Sequence, residues 1–316
     1  MELVISAAIA FAVAGVLGII LIPVLHKLKF GQSIREEGPQ WHRKKSGTPT
    51  MGGIIFIAAI VVSALVSLFF EVSEGLLAVL ICALLFGLIG FADDYIKVVK
   101  KRNLGLTAKQ KFLAQVFVSV AFCVYLLLRD HETALYVPFT SFRLNLGIWF
   151  IPVAVFVIVG MVNSVNLTDG LDGLASFISL VVSVTFAAAA LKLGANGIAV
   201  LCAALAGGLC GFLIYNIYPA KVFMGDTGSL FIGGLLSAAA VYMGIEIMFF
   251  IAGGVFVIET LSVILQVISF KTTGKRIFKM SPIHHHFEMC GYKETKIVAM
   301  FTFVTVILSA LAYFSL

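Results

Sequence analysis

MELVISAAIAFAVAGVLGIILIPVL, residues 1–25, carries a single charged side chain, Glu2. About 20 consecutive apolar residues suffice for a helix to cross the hydrocarbon core of a bilayer. No basic leader and no small-residue cleavage site precede the apolar run, so the segment is expected to remain as a first transmembrane helix rather than leave as a signal peptide. The chain repeats this pattern. Of its 316 residues, 61% are hydrophobic and 12% charged, and the mean hydropathy is +1.09. Soluble domains carry about 25% charged residues, which excludes an ordinary soluble enzyme.

Apolar runs cover 3–25, 51–70, 75–92, 110–128, 147–162, 174–191, 196–215, 228–244, 246–269 and 295–315. Backbone groups in lipid must satisfy one another within a segment, so such runs form helices. The expected fold is an all-α polytopic integral membrane protein of about ten transmembrane helices. The longest connection is about 25 residues, so the chain is expected to be a single domain over 1–316. Gly207 and Gly211 permit close helix packing. Cys82, Cys123, Cys202 and Cys210 lie within apolar runs, and the spacing of Cys202 and Cys210 matches no metal motif. They are read as small apolar fillers, with no disulfide framework.

Ten spans place the loops 26–50, 93–109, 163–173, 216–227 and 270–294 on one side. With their edges, these hold 19 of the 22 Lys and Arg residues; Arg129, Arg143 and Lys192 fall on the other side. The positive-inside rule makes the basic side cytoplasmic and both termini extracytoplasmic. The net charge of +6 is then a one-sided field that reflects topology, attracts anionic lipid, or attracts a polyanionic substrate.

The same side collects the polar motifs: KKSGTPTMGG at 44–53, GFADDYIK at 90–97, NSVNLTDGLDGLA at 163–175, YNIYPAKVFMGDTGS at 215–229 and SPIHHHFE at 281–288. Each has a plain structural reading. Asp172 and Asp226 stand where they could cap the sixth and eighth spans, and the NLT sequon at 166–168 lies on the wrong side for glycosylation. The set as a whole is harder to explain that way. Asp93 and Asp94 are expected at a helix C-terminus, where the dipole disfavours anions; Lys97 offsets part of the charge, and a divalent cation would offset more. TDGLDG and MGDTGS put carboxylates beside glycines, where backbone can approach a ligand, and the helices that follow offer free N–H groups to phosphate. Carboxylate oxygens without clustered thiolates suit Mg²⁺ or Mn²⁺. Three consecutive histidines cannot all face one metal, because neighbouring residues diverge on a helix or a strand. One or two of them could donate to phosphate, whether neutral or charged. No GxxxxGK[ST] loop is present, so the chain is not a P-loop NTPase. These groups suit transfer of a phosphoryl group between a soluble nucleotide and a lipid phosphate.

TPTMGG, FADDYIK, NSVNLTDGLDGLA, VFMGDTGSL and SPIHHHFE, in this order, closely resemble the bacterial phospho-N-acetylmuramoyl-pentapeptide transferase family, within the polyprenyl-phosphate N-acetylhexosamine-1-phosphate transferase superfamily. The resemblance covers the whole chain and all ten spans. It implies a Mg²⁺-dependent reaction in which UDP-MurNAc-pentapeptide and undecaprenyl phosphate give lipid I and UMP. It also implies a bacterial cytoplasmic membrane setting, a homodimer, and binding of nucleoside antibiotics such as tunicamycin.

Roles carry over residue by residue. The resemblance makes Asp226 the Mg²⁺ ligand, Asp93 the residue facing the lipid phosphate, Asp94 a supporting carboxylate and His285 the essential histidine. It places Asn166, Asp169, Asp172, Asn216 and Phe223 in the nucleotide pocket, with Phe223 stacked on uracil. Gln266 and His286 become sugar contacts, Lys97 and Lys109 phosphate partners, and Lys45 a substrate contact in the first loop. The histidine run is then a cytoplasmic loop folded over the nucleotide-sugar rather than a zinc site. Two mechanisms remain: attack by Asp93 to form a phosphoryl-enzyme, or direct in-line attack by the lipid phosphate. A sister enzyme using UDP-GlcNAc would share the Asp pair and the metal site, but PIHHHFE argues against it. An ion-coupled transporter would need polar groups near the midplane, where only Glu259 lies well inside a span.

Overall fold

The computed structural model describes residues 1–27, 47–70, 73–99 and 105–316. Within these the chain forms helices α1 (Glu2–Lys27), α2 (Gly53–Phe70), α3 (Glu74–Val99) and α4 (Ala108–Leu128), then a hairpin of β1 (Ala134–Tyr136) and β2 (Arg143–Asn145). A 3₁₀ turn at Gly147–Trp149 leads into α5 (Phe150–Thr168), α6 (Leu174–Lys192), α7 (Asn196–Asn216) and α8 (Gly225–Met243). The chain ends with α9 (Glu246–Ala252), α10 (Gly254–Thr273), α11 (Ile283–Met289) and α12 (Glu294–Phe314). Among the described residues nine helices are long and apolar enough to cross a membrane, and α2 is a shorter apolar helix. The chain is thus a helical polytopic membrane protein.

Helices α7 and α8 form the centre: 83% of the apolar window of each is buried, against 22% for α1 and for α10. Small residues set the close contacts. Helix α1 buries Ser6, Ala10, Ala14, Gly18 and Ile22, one residue per turn along a single stripe, and lays that stripe on α7. A Cβ added to Gly207 would collide with the Ala7 carbonyl, and one on Gly211 would lie 2.6 Å from the Phe11 carbonyl oxygen. This is the close packing that the glycine pair allows. Helices α3 and α8 meet in the same way: a Cβ on Gly90 would collide with the Asp226 backbone, and one on Gly234 would lie 2.8 Å from Phe86. That contact sets the separation between the carboxylates carried by the two helices.

The 129–146 connection, on which the sequence reading is silent, holds a hairpin: β1 pairs antiparallel with β2, Leu135 opposite Leu144. The Tyr136 N–H donates to the Gly244 carbonyl at 2.7 Å, which pins the hairpin to the α8–α9 turn. Three features depart from the sequence-based expectation. The ninth apolar run is broken at Gly253, where ψ is +21°. Two successive glycines weaken the helix there, and a Cβ on Gly253 would lie 3.0 Å from both Met161 Cε and the Phe249 carbonyl oxygen, a tight fit. Helix α3 continues to Val99, so Asp93 and Asp94 lie inside it, beyond the last turn where the dipole acts. Finally, the histidine run opens a short helix, α11, not an irregular loop.

Candidate active site

Asp93 and Asp94 project from α3 and Asp226 from the first turn of α8. Gly90 lets the two helices touch, and the three carboxylates offer oxygens that all lie within 4.8 Å of one another. Each is held by specific donors. Asp93 Oδ1 accepts the Leu106 N–H at 2.8 Å, and its Oδ2 pairs with Lys97 Nζ at 2.6 Å. Asp94 Oδ2 accepts both the N–H and the hydroxyl of Thr227, at 2.9 and 2.7 Å. Asp226 Oδ2 receives Lys97 Nζ at 3.0 Å and Lys111 Nζ at 2.9 Å, while Oδ1 receives the Asn166 amide at 2.9 Å. The Asn166 amide also donates to Ser229 Oγ at 2.8 Å.

Asp93 and Asp94 are each 3% exposed, and two lysines face three carboxylates. Like charges this close disfavour joint ionisation unless a cation compensates. The donor set is all oxygen, which fits a hard divalent cation better than a soft one. The cluster therefore could hold a metal of the Mg²⁺ type. Neither Asp226 nor Asp172 works as a helix cap. The N-cap of α8 is Met224, with no side-chain cap bond, and that of α6 is Gly173. Gly225 has φ +69°, and a Cβ there would lie 2.5 Å from Asp94 Oδ2, so glycine is required beside the cluster. The segment around TPTMGG lines the same place: Phe223 N–H donates to Pro49 O, and Gly52 N–H to Phe223 O, at 2.9 and 2.8 Å.

A second arm comes from α10 and α11. Glu259 is wholly buried on α10 and its Oε2 lies 3.0 Å from His284 Nδ1. His284 packs onto the α5–α6 turn so closely that a Cβ on Gly170 would collide with its Nε2. Gly170 stands four residues beyond Asn166, so this turn joins the histidine arm to the carboxylate cluster.

Comparison with known proteins decides the family. The profile of glycosyl transferase family 4 matches residues 76–244, and the phospho-N-acetylmuramoyl-pentapeptide-transferase signature 1 matches residues 45–57. A Clostridium botulinum (strain Alaska E43 / Type E3) phospho-N-acetylmuramoyl-pentapeptide-transferase is 49% identical over 306 residues, covering 97% of this chain and 94% of the relative. The protein of that name from Clostridium perfringens (strain SM101 / Type A) is 47% identical, covering 100% and 97%. That of Bacillus thuringiensis (strain Al Hakam) is 48% identical, covering 99% and 97%. The chain belongs to the phospho-N-acetylmuramoyl-pentapeptide-transferase family.

Within this transferase chain, the structure brings Asp93, Asp94, Lys97, Asn166 and Asp226 into one cluster. Asn166, expected in the nucleotide pocket, bonds Asp226. Lys109 is exposed; the neighbour that reaches Asp226 is Lys111, because two residues on a helix point about 200° apart. Several expected substrate contacts have side chains engaged in shaping loops. Asp172 accepts the Ala220 N–H at 2.9 Å. The Asn216 amide donates to Val222 O at 3.0 Å and accepts from Ser176, which fixes the segment presenting half-buried Phe223. Gln266 accepts the N–H groups of Ile277 and Phe278 and donates to Phe278 O. His286 Nδ1 accepts the Lys279 N–H at 3.1 Å, and His285 Nδ1 lies 2.7 Å from Glu288 Oε2. Asp169 is half-buried at the end of α5. Lys45 lies outside the described residues. Sequence reasoning missed three things: Lys111, the Thr227 donors, and the His284–Glu259 pair. Lys111 had a usable signal, since with Gln115 and Ser119 it makes a polar i, i+4, i+8 stripe on a largely apolar helix.

Proposed function

We propose that this chain, acting as a single transferase domain over residues 1–316, moves phospho-MurNAc-pentapeptide from UDP-MurNAc-pentapeptide to undecaprenyl phosphate. The products are lipid I and UMP, and the step belongs to peptidoglycan synthesis in the bacterial cytoplasmic membrane. Near-full-length likeness to the named transferases supports the activity. The observation that carries the chemistry is the buried Asp93–Asp94–Asp226 cluster with two lysines on it. The site faces the cytoplasm in this reading, with both termini outside, because the basic loops lie on the side of the cluster.

Asp226, flanked by Asp93 and Asp94, would hold Mg²⁺. The ion, when bound, neutralises charge on phosphoryl oxygens. Lys97 and Lys111, here on Asp226, are long enough to turn to the phosphates of the two substrates and to balance their charge in the transition state. Direct in-line attack by the lipid phosphate is the favoured route. A phosphate monoester with a second pKa near about 6 is mostly dianionic at neutral pH and gains little from a general base. Asp93 has both oxygens engaged, by Leu106 and Lys97, which favours a role in orienting the acceptor over one as nucleophile. His285 and His286, with Phe223, would line the nucleotide-sugar side, where nucleoside antibiotics such as tunicamycin would compete. A homodimer is the proposed assembly.

The test is UMP release by detergent-purified protein given undecaprenyl phosphate and Mg²⁺, with UDP-MurNAc-pentapeptide or UDP-GlcNAc as donor. Release with the first donor only, lost on chelation and in Asp226→Ala, is the expected result. Release with UDP-GlcNAc alone would move the chain to the sister activity. A phospho-aspartate trapped with nucleotide donor and no lipid would overturn direct attack.

A further inference from the structure

Helix α4 delivers Lys111 to Asp226, and at that end its apolar side chains turn away from the bundle. Phe112, Leu113 and Phe117 are all more than half exposed, and the buried face of α4 begins only at Gln115. Gln115 is 1% exposed and stands one turn from Lys111, on the same face. It meets one partner across the helix interface. The Asn163 amide donates to Gln115 Oε1 at 2.7 Å, and the Gln115 amide approaches Asn163 Oδ1 at 3.5 Å. Asn163 also donates to Val159 O at 2.8 Å, which fixes its rotamer on α5. Three residues further on, on the same face of α5, Asn166 donates to Asp226 Oδ1.

We propose that the Gln115–Asn163 amide pair is a positioning clamp. It sets α4 against α5 so that Lys111 and Asn166 reach the two oxygens of Asp226 together. Both ends of the geometry are on the page: one turn from the pair on α4 is Lys111, and one turn from it on α5 is Asn166, and both converge on a single carboxylate. Amides buried among apolar side chains strongly prefer to be paired. A slide or rotation of α4 by a fraction of a turn would leave the buried Gln115 amide unpaired, while Asn163 kept only its bond to Val159 O, so the register is well defined. The clamp bonds no reacting atom; it acts through Lys111. An ordinary interhelical hydrogen bond would support folding alone, without a particular link to Lys111.

The proposal rests on the transferase reading for its consequence in turnover, but not for its geometry, and the test separates the two. Lys111 and the exposed Lys109 are labelled with an amine-acylating reagent and quantified by peptide mass spectrometry, in the wild type, Gln115→Met and Asn163→Leu. Protection of Lys111 relative to Lys109 is expected to be about tenfold or more in the wild type and to fall below about threefold in both variants. Equal labelling of the two lysines in the wild type, or unchanged protection in the variants, overturns the clamp whether or not the protein turns over. In the activity arm, Gln115→Met is expected to slow UMP release about tenfold, but less than twofold in a Lys111→Ala background. Equal fractional losses in both backgrounds overturn it. A wild type that folds but releases no UMP counts against the transferase reading, and the labelling result still decides the clamp.

Discussion

Three donors converge on Asp226: Lys97 and Lys111 on one oxygen and Asn166 on the other. The two neighbouring lysines of α4 therefore should differ sharply in effect. Lys111→Ala is expected to lower kcat/KM for UMP release about 100-fold, since it removes a charge that the transition state needs. Lys109→Ala, at an exposed position, is expected to stay within about twofold. The reverse order, read in a steady-state assay, would sink this placement of charge. The carboxylates were legible from sequence because capping could explain Asp172 or Asp226 singly but not a whole set of Asp residues that includes the adjacent pair Asp93 and Asp94. The lysine was not, because its identity depends on helix phase, and a run that begins at Thr107 could be phased either way. The histidines pose the same problem in sharper form. Three identical residues in a row give no clue to which one turns inward, and the structure buries His284 against Glu259. His284→Ala would leave the wholly buried Glu259 without its partner and is expected to cost about 3 kcal/mol. His286→Ala, half-buried and bonded to one backbone N–H, should cost no more than about 1 kcal/mol. Thermal unfolding in detergent compares the two; equal shifts would argue against the buried pair.

Helices place these side chains through backbone contacts that only glycine permits. Gly90 lies one turn before Asp93 on α3, and a Cβ there would collide with the Asp226 carbonyl on α8. Gly90→Ala is expected to force the helices apart, costing about 1–3 kcal/mol by overpacking. It should also lower turnover at least tenfold, roughly, because the carboxylate cluster spans that same contact. Gly160→Ala on α5 is the control: nothing lies within 4 Å of the added methyl, and alanine favours helix by up to about 1 kcal/mol. If both variants unfold at the same temperature and turn over alike, the α3–α8 contact does not set the site. The spans themselves were readable from apolar runs, because lipid leaves the backbone no alternative to helix. Their ends were not. Helix α3 runs seven residues past the expected 92 and carries the Asp pair inside it, since Lys97 and the Leu106 and Thr227 donors hold charges that hydropathy alone would exclude. The break at Gly253 carried only the Gly253–Gly254 pair as a signal, because both of its flanks are equally apolar and glycine pairs also occur within unbroken helices such as α7 and α8.

At the scale of the whole molecule, the proposed topology puts charge and chemistry on one side. Nineteen of the 22 Lys and Arg residues fall in the loops that also carry the carboxylate cluster and the histidine arm. A soluble nucleotide donor and a lipid phosphate are both anionic, and a one-sided positive field would concentrate both where they react. Under the positive-inside rule the same asymmetry predicts a cytoplasmic site and outward termini. Cys290, at the end of α11 beside His286, is the one exposed thiol among the five cysteines; Cys82, Cys123 and Cys202 are buried and Cys210 is half-buried. It is a built-in reporter of sidedness. A membrane-impermeant maleimide should leave Cys290 unmodified in intact cells and modify it in inverted membrane vesicles. In Cys290→Ser carrying Thr140→Cys, which puts the thiol in the exposed β1–β2 turn, the pattern should invert. Labelling of Cys290 from outside intact cells would place the carboxylate cluster away from the nucleotide pool. The transferase reading would then fail on topology, whatever the geometry of its carboxylates.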